Sequence, residues 1–513
     1  MAMRTWQDGP FLIAAAPGAG KTRPALEFAR EQLAGGRVRR VAVICPTGPL
    51  TRQWAQAAAT LGVHLQPGAE DPRPPRDFHG IAVTYSRVAQ AGIKWAAGVG
   101  SDTLVIADEA HHLGDELAWG TSFEAAFAAS RDRWLLLSGT PFRSDQCAIP
   151  GVRYDSDGVA EADISYPYAD AVRDGICRPV TFVPYDGRLQ WRSGDDVVEA
   201  SFSDVLSGRE AGRRYRTAIS VELPDGLPRI VAEAHDRLEG LRAGGHRDAG
   251  GLVVAADGEH ARALAKVLRG VTGKAPVVVV HTDARAAEKL AAFTGSRAPW
   301  IVAVNMVSEG VDIPRLRVGI YATAAKTPLI FRQIVGRFVR TIAGRAVEPS
   351  WVYLPADGVL RAHAADVERE LRHVLRPPGE DDPGALDELV VRRETERDPG
   401  LDFVPVAADV APQLALFGPS PGAGAVAAPP GPALVIAPAV PPPAREMPAF
   451  ERRALLRDKR KRLVGELSRR DGRSHAEVNT WLNRQTGVGR VSDATLEQLD
   501  RSCELLLRAL TRR

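Results

Sequence analysis

The stretch FLIAAAPGAGKT, residues 11–22, decides the fold of the amino-terminal part of this 513-residue chain. The apolar run 11–15 predicts a buried β-strand, and the helix-like run RPALEFAREQL follows Thr22 directly. Gly18 and Gly20 let backbone N–H groups approach a phosphate, Lys21 can reach phosphate oxygens, and a Thr22 hydroxyl is a ligand for Mg²⁺. A strand, a glycine-rich turn and a helix in this order predict a nucleotide phosphate-binding loop, built from Ala15, Pro17, Gly18, Ala19, Gly20, Lys21 and Thr22.

Short apolar runs continue outward from this loop, and helix-like segments separate them. The first set lies at residues 11–15, 41–45, 81–85, 103–107 and 134–138. The second set lies at residues 251–256, 277–281, 300–304, 317–321 and 351–355. Apolar runs of this length between helices are typical of the buried strands of a parallel α/β sheet. The pattern therefore predicts an α/β protein with two tandem parallel-sheet domains.

Two adjacent carboxylates, Asp108 and Glu109, follow the apolar run 103–107. They would lie at the carboxyl end of a strand, which is where ligands bind in such sheets. We assign Asp108 to Mg²⁺ and Glu109 to general-base work on the attacking water. Since adjacent residues do not face each other on a helix, the neighbouring pair His111 and His112 does not predict a metal site.

Four ordered segments resemble motifs I, II, III and VI of superfamily 2 helicases: AAPGAGKT (15–22), DEAH (108–111), SGTP (138–141) and QIVGRFVR (333–340). Three further stretches resemble motif Ia, the next DNA-contact motif and motif V: PTGPLTRQW (46–54), VTYSR (83–87) and MVSEGVDIP (306–314). The details are most similar to the DEAD/DEAH-box group that includes type III restriction and XPB-like translocases. The resemblance covers residues 11–355 and implies two RecA-like domains, with ATP and Mg²⁺ as ligands.

The resemblance also implies roles for individual residues. Those expected near the γ-phosphate lie on one predicted helix and are Gln333, Arg337 and Arg340. Those expected to link the nucleotide to the nucleic acid are Gly310 and Asp312, and those expected to couple hydrolysis to movement are His111, Ser138 and Thr140. Those expected to contact the nucleic-acid backbone, without reading its sequence, are Pro46, Thr47, Arg52, Thr84, Tyr85 and Ser308.

Composition and pattern divide the chain into six segments. They are a first RecA-like domain (1–143), an irregular connection (144–228), a second RecA-like domain (229–357), a helical extension (358–400), a linker (401–450) and a basic helical tail (451–513). The linker contains 12 prolines and is expected to be disordered.

A short apolar motif lies inside the linker. Its residues Gln413, Leu414, Leu416 and Phe417 resemble the QLxLF peptide by which bacterial proteins dock on the replicative sliding clamp. An extended peptide whose Leu and Phe fill apolar pockets is a physically reasonable recognition mode. The alternatives are a chance motif in an Ala- and Leu-rich segment, or a segment that folds back onto the second sheet.

The tail carries 16 Lys and Arg against 9 Asp and Glu. Its apolar spacing predicts a helix over 494–510 that Ser492 or Asp493 caps. A basic face of the tail is expected either to add non-specific DNA contacts or to be solvated. Trp481 is expected to belong to a small core rather than to stack on a base.

Composition excludes other classes of protein. No apolar run approaches the ~20 residues that span a bilayer, and the amino terminus has no export signal, so a cytoplasmic, nucleoid-associated protein without a membrane partner is expected. The four scattered cysteines argue against a zinc site and a disulfide framework.

The predicted function is that of an ATP-dependent DNA helicase or translocase. The alternatives are a motor that moves on duplex DNA without separating strands, an ATP-switched, clamp-tethered DNA-binding protein, and an RNA helicase.

Overall fold

The computed structural model describes residues 6, 9–115, 117–139, 148–155, 160–193, 196–280, 283, 285–304, 313–342, 344–345, 347–375, 403–413 and 447–511. The chain forms two compact units. Unit 1 consists of Met1–Ala15, Gly20–Ser165 and Gly422–Arg513, and unit 2 consists of Ala16–Ala19 and Tyr166–Pro421.

The strands are β1 Phe11–Ala15, β2 Arg40–Cys45, β3 Leu65–Pro67, β4 Gly80–Thr84, β5 Thr103–Asp108, β6 Trp134–Ser138, β7 Arg153–Tyr154, β8 Ala160–Glu161, β9 Ile164–Tyr166, β10 Val180–Ser193, β11 Asp196–Ala200, β12 Gly250–Ala255, β13 Val277–Val279, β14 Trp300–Val304, β15 Leu316–Ala322, β16 Ser350–Pro355 and β17 Phe403–Pro412. The α-helices are α1 Thr22–Ala34, α2 Gly48–Ala59, α3 Tyr85–Gln90, α4 Gly92–Gly98, α5 His112–Asp115, α6 Leu117–Phe127, α7 Tyr168–Arg173, α8 Gly208–Ala218, α9 Leu227–Ala243, α10 Gly258–Thr272, α11 Ala286–Thr294, α12 Pro328–Val335, α13 Gly358–Leu375, α14 Ala449–Asp471, α15 His475–Thr486 and α16 Leu496–Thr511. Among the described residues, no helix is long and apolar enough to cross a bilayer.

The first sheet has the strand order β3-β4-β2-β5-β6-β1-β9. Strands β1 to β6 pair in parallel, and their side chains are buried almost throughout. All five strands that the first set of apolar runs predicts are present. Because parallel strands end at one edge, this topology brings together the residues that follow β1, β2, β4, β5 and β6.

The second sheet has the order β11-β10-β16-β15-β12-β14-β13, and β17 pairs with β10. All five strands of the second set of apolar runs are present in it. The expectation that residues 144–228 are only an irregular connection is wrong, because β10 pairs with β16 inside this sheet. Strand β10 shows no continuous apolar run. It alternates instead, burying Leu189 and Trp191 while Arg188 and Arg192 are exposed, as strands do when one face is solvated.

The start of the predicted linker is also corrected. Residues 403–412 form β17, which pairs antiparallel with residues 185–193 of β10. The prolines Pro405 and Pro412 are compatible with this because a strand that pairs on one side needs only half of its N–H groups. Of the clamp-like motif, only Gln413 lies within the described residues, and its backbone N–H donates to Pro184 O at 2.8 Å. Leu414, Leu416 and Phe417 lie outside them, so the clamp contact stays a prediction. The helical extension is described as far as residue 375, where α13 ends.

The tail folds as three helices, α14, α15 and α16, around a small core that includes Leu467, Leu482 and Leu506. Trp481 is half-buried and packs against this core, as expected. The predicted cap of the last helix is wrong by two to three residues. Thr495 caps α16, since its Oγ1 accepts from the Gln498 N–H at 3.2 Å and its own N–H donates to Gln498 Oε1 at 2.9 Å.

The tail packs within unit 1. The Leu496 N–H donates to Asp77 Oδ2 at 2.8 Å, and the Arg453 guanidinium lies 5.8 Å from the centre of the Phe78 ring. Arg453 also donates to the carbonyl oxygens of Ala494 and Ser492. The Leu496–Asp77 and Arg453–Phe78 contacts attach the tail to the loop that precedes β4.

Candidate active site

The predicted phosphate-binding loop has the backbone that its glycines suggest. Strand β1 ends at Ala15, and α1 begins at Thr22 after a turn in which Gly18 has φ +89° and Gly20 has φ +79°. This left-handed region disfavours residues that carry a Cβ. The loop therefore depends on glycine at both positions to turn between the strand and the helix.

Residues Ala16–Ala19 of this loop belong to unit 2. Within that unit, a Cβ built on Gly18 would lie 2.5 Å from Cγ2 of Val339 and 3.5 Å from Cδ of Arg340. Any side chain at residue 18 would therefore have to displace a packed neighbour in addition to its backbone strain.

Lys21 and the two predicted carboxylates lie together in unit 1. The Lys21 Nζ is 3.1 Å from Oε1 of Glu109, and Asp108 is buried at the end of β5, with 6% of its surface exposed. Glu109 has φ +51°, a left-handed conformation that is uncommon outside glycine. This backbone turns directly after Asp108 and directs the Glu109 side chain toward Lys21.

The two carboxylates differ in pKa. Burial and the neighbouring Glu109 raise the pKa of Asp108 to about 6. Burial alone would also raise the pKa of Glu109, but the positive charge of Lys21 and its hydrogen bond lower the pKa to about 2. Glu109 is therefore ionised at neutral pH, which is the state that a general base requires.

Two of the predicted coupling residues are in contact. His111 and Ser138 are both buried, and Nδ1 of the histidine lies 3.1 Å from Oγ of the serine. The same Nδ1 lies 3.6 Å from Oε2 of Glu109, to which the Gly139 N–H donates at 3.4 Å. The Gly139 hydrogen bond thus joins the end of β6 to Glu109, and the His111–Ser138 pair lies beside it. The third predicted coupling residue, Thr140, lies outside the described residues.

Two aromatic residues contact Asp108. The Trp54 indole N–H of α2 donates to Asp108 Oδ2 at 2.7 Å, and the Tyr85 hydroxyl donates to the Asp108 backbone oxygen at 2.8 Å. We did not predict a role for Trp54. A signal exists in the sequence, since a tryptophan needs a polar partner for its N–H when it is buried.

The residues predicted to contact nucleic acid are only partly accessible. Arg52 is exposed on α2, and Thr47 and Thr84 are half-buried where α2 and α3 begin. Pro46 is buried and Tyr85 is 1% exposed. Contrary to the expectation, the side chains of these two residues are therefore not accessible for direct contact. Ser308, Gly310 and Asp312 lie outside the described residues.

The three residues predicted near the γ-phosphate do not lie on one helix. Helix α12 contains Gln333 but ends at Val335. Arg337 follows in a turn, and its backbone N–H donates to Ile334 O at 3.0 Å. Arg340 forms an isolated antiparallel bridge with Cys177. The glycine at residue 336 is compatible with this early end of the helix. All three side chains are half-buried in unit 2.

The residues present fit a magnesium nucleotide. A carboxylate oxygen of Asp108 and the Thr22 hydroxyl are the hard oxygen ligands that Mg²⁺ prefers. The glycine turn leaves open space at Gly20, where a Cβ would meet nothing within 4 Å. The start of α1 supplies backbone N–H groups of the kind that hold phosphate.

Comparison with known proteins agrees with this site. Residues 2–143 match the family model of the type III restriction enzyme res subunit. The chain is 42% identical over 402 residues to the uncharacterized protein Rv2917 of Mycobacterium tuberculosis, a match that covers 76% of this chain and 66% of that protein. It is 41% identical over 383 residues to the uncharacterized protein ML1624 of Mycobacterium leprae, covering 72% of this chain and 63% of that protein.

The similarity to solved structures is weaker. A fragment of a putative HsdR subunit of a type I restriction enzyme from Vibrio vulnificus has 16% sequence identity and a TM-score of 0.48, over 69% of this chain and 61% of that one. The match to the restriction family therefore rests on the sequence of residues 2–143, which contain the loop, both carboxylates and Ser138. Over residues 2–143, this chain is therefore similar to the type III restriction enzyme res-subunit family.

Proposed function

We propose that this protein is an ATP-dependent motor that couples ATP hydrolysis to movement along DNA or to its unwinding. The observation that carries the proposal is the arrangement of Lys21, Asp108 and Glu109, with 3.1 Å between Lys21 and Glu109 at the carboxyl edge of the first sheet. A phosphate-binding lysine beside one ionised and one buried carboxylate is the set of groups that phosphoryl transfer to water requires.

Each residue then has a defined task. Lys21 would break its ion pair with Glu109 and bind the β and γ oxygens of ATP. The Glu109 carboxylate would then be free to accept a proton from the attacking water. Thr22 and Asp108 would hold Mg²⁺, which, when bound, neutralises charge on the phosphates. Arg337 and Arg340 are proposed to stabilise charge that develops on the γ-phosphate, and Gln333 to lie near it.

The movement itself is proposed to depend on two contacts at the end of β6, the one between His111 and Ser138 and the one between Gly139 and Glu109. Because Ser138 ends β6 and Gly139 donates to Glu109, a change at the hydrolysis site would reach the segment after β6 directly. The exposed Arg52 of α2 is proposed to bind phosphates of the nucleic acid without reading bases. Binding should therefore weaken as salt is raised.

The test measures ATP turnover by the full chain alone and with single-stranded DNA, duplex DNA or RNA, each at two salt concentrations. Lys21→Ala is compared with wild type, and Lys94→Ala is the matched control. Lys94 belongs to the same unit but pairs with Asp71 at 3.3 Å on the surface. A triplex-displacement assay and a fork-unwinding assay on the same samples distinguish translocation from strand separation.

Stimulation by DNA that Lys21→Ala abolishes and Lys94→Ala retains is the expected result. Stronger stimulation by RNA than by matched DNA would identify RNA as the nucleic acid on which the protein acts. Slow hydrolysis that no polymer changes would contradict the motor and favour a protein that ATP merely switches between conformations.

A further inference from the structure

Asp108 is held by hydrogen-bond donors on two different helices. Oδ2 of its carboxylate accepts from the Trp54 indole N–H at 2.7 Å, and its backbone oxygen accepts from the Tyr85 hydroxyl at 2.8 Å. All three residues are at least 94% buried. The Trp54 bond holds one of the two carboxylate oxygens, and the backbone N–H of Glu109 also bonds this carboxylate.

This use of an indole differs from that of other buried tryptophans in unit 1. The Trp134 N–H donates to the backbone oxygen of Phe127 at 3.1 Å, and the buried Trp95 N–H has no partner in the described part of the chain. The N–H of a buried indole in this unit therefore does not need a carboxylate as its hydrogen-bond acceptor. The Trp54 N–H instead bonds a carboxylate oxygen. A hydrogen bond to a charged group is roughly twice as strong as one between neutral groups.

The elements that carry the two donors matter as well. Trp54 lies on α2, which begins after Thr47 and also presents the exposed Arg52. Tyr85 is the first residue of α3, and Thr84 accepts from the Arg87 N–H at the beginning of that helix. Each of the two segments predicted to hold nucleic acid thus contributes one buried donor to Asp108.

We propose that Trp54 and Tyr85 are positioning residues for the Asp108 carboxylate, and that they attach both predicted nucleic-acid segments to the Mg²⁺ ligand. Trp54 restricts the rotation of the carboxylate by bonding Oδ2, so that Asp108 would be oriented in advance to hold Mg²⁺. Tyr85 fixes the end of β5 by binding the backbone oxygen. This inference rests on the proposed function, because it assumes that Asp108 serves Mg²⁺.

The experiment titrates Mg²⁺ into the full chain with the fluorescent nucleotide mant-ADP and reads nucleotide binding, not turnover. Trp54→Phe keeps the apolar ring but removes the donor, and Trp95→Phe makes the same chemical change at a tryptophan without a partner. Removing a partner of a metal ligand commonly weakens metal affinity by 10–100-fold, so we expect Trp54→Phe to raise the Mg²⁺ midpoint about tenfold. Binding of mant-ADP in EDTA should stay at the wild-type level.

Trp95→Phe should leave the Mg²⁺ midpoint within about twofold of wild type, as a change of packing alone would. Equal midpoints for Trp54→Phe and wild type, or equal shifts in both tryptophan variants, would overturn the proposal. If circular dichroism shows that Trp54→Phe is unfolded, the Mg²⁺ midpoint of Tyr85→Phe is measured instead, because this change removes only a hydroxyl. A rise of its Mg²⁺ midpoint supports the proposal, and an unchanged midpoint overturns it.

Failure of the proposed function has a different signature. In that case wild type would bind mant-ADP no better than Lys21→Ala at any Mg²⁺ concentration. Wild-type binding that depends on Mg²⁺ and on Lys21, together with an unaffected Trp54→Phe, would remove only the positioning role.

Discussion

Lys21 and Glu109 are paired with each other, with 3.1 Å between Nζ and Oε1. The residue predicted to bind phosphate and the residue predicted to activate water therefore neutralise one another in this structure. Under the proposed function, a nucleotide would have to compete with Glu109 for the lysine and would thereby release the carboxylate to act as a base. Nucleotide binding and activation of the base would then be one event.

Replacing Glu109 by Gln removes the base and the charge that competes for Lys21. We expect ATP hydrolysis to fall by about 10²–10⁴-fold, the usual contribution of a positioned base, while ATP binds at least as tightly as before. Hydrolysis and nucleotide affinity are measured on the same preparation. Glu124→Gln is the control, since Glu124 lies on the surface of the same unit beside Arg131. Hydrolysis that survives Glu109→Gln within threefold would assign the base elsewhere.

Replacing Ser138 by Ala breaks the contact with His111 without changing the size of the core. We expect ATP binding to be intact and hydrolysis to change only a few-fold, while strand displacement per ATP hydrolysed falls at least tenfold. Ser130→Ala is the matched control because Ser130 is equally buried but bonds the Phe127 carbonyl oxygen. Loss of nucleotide binding in Ser138→Ala would contradict the coupling role.

His246 should make unit 2 sensitive to acid. Burial, together with the charges of Arg345 and Arg317, lowers the pKa of His246 to about 4, and its Nδ1 accepts from Arg317 at 2.8 Å. The unfolded histidine titrates near 6.5, so stability is complete above about pH 6.5 and is lost as the pH falls toward about 4.

We expect the midpoint of thermal unfolding to decrease between pH 7 and pH 5, and His246→Gln to flatten this dependence. His475→Gln, a change at an exposed histidine, should leave it unchanged. The same slope in wild type and His246→Gln would show that other groups cause the acid sensitivity.

The Asp77 carboxylate should hold the tail on unit 1. Its Oδ2 accepts from the backbone N–H of Leu496, in the first turn of α16. A hydrogen bond of this kind contributes about 1 kcal/mol, so Asp77→Ala should speed amide hydrogen exchange in residues 494–499 about fivefold. Exchange is read by mass spectrometry, with Asp71→Ala as the control at a more exposed aspartate of the same loop. Unchanged exchange in both variants would mean that the tail is held by its other contacts.

Apolar patterning predicted the two sheets well because their strands are buried on both faces and therefore appear as continuous apolar runs. It missed β10 and β17, whose exposed faces carry polar residues and prolines. It also extended the helix of Gln333 to Arg340, because helical spacing alone does not show that Gly336 ends α12. Tyr85 was predicted to contact nucleic acid, yet its place under Asp108 depends on a pairing of β2, β4 and β5 that no local pattern reveals.

The sequence by itself determined which residues can carry the chemistry: the strand, glycine turn and Lys21 at one edge, and Asp108 and Glu109 after another strand. These are local features, since each depends on neighbours a few residues away. Only the tertiary structure decided the long-range pairs: Lys21 with Glu109, His111 with Ser138, and Trp54 with Asp108. Side chains 27 to 88 residues apart meet because parallel strands end at one edge of the sheet, where burial excludes water and strengthens each charged contact.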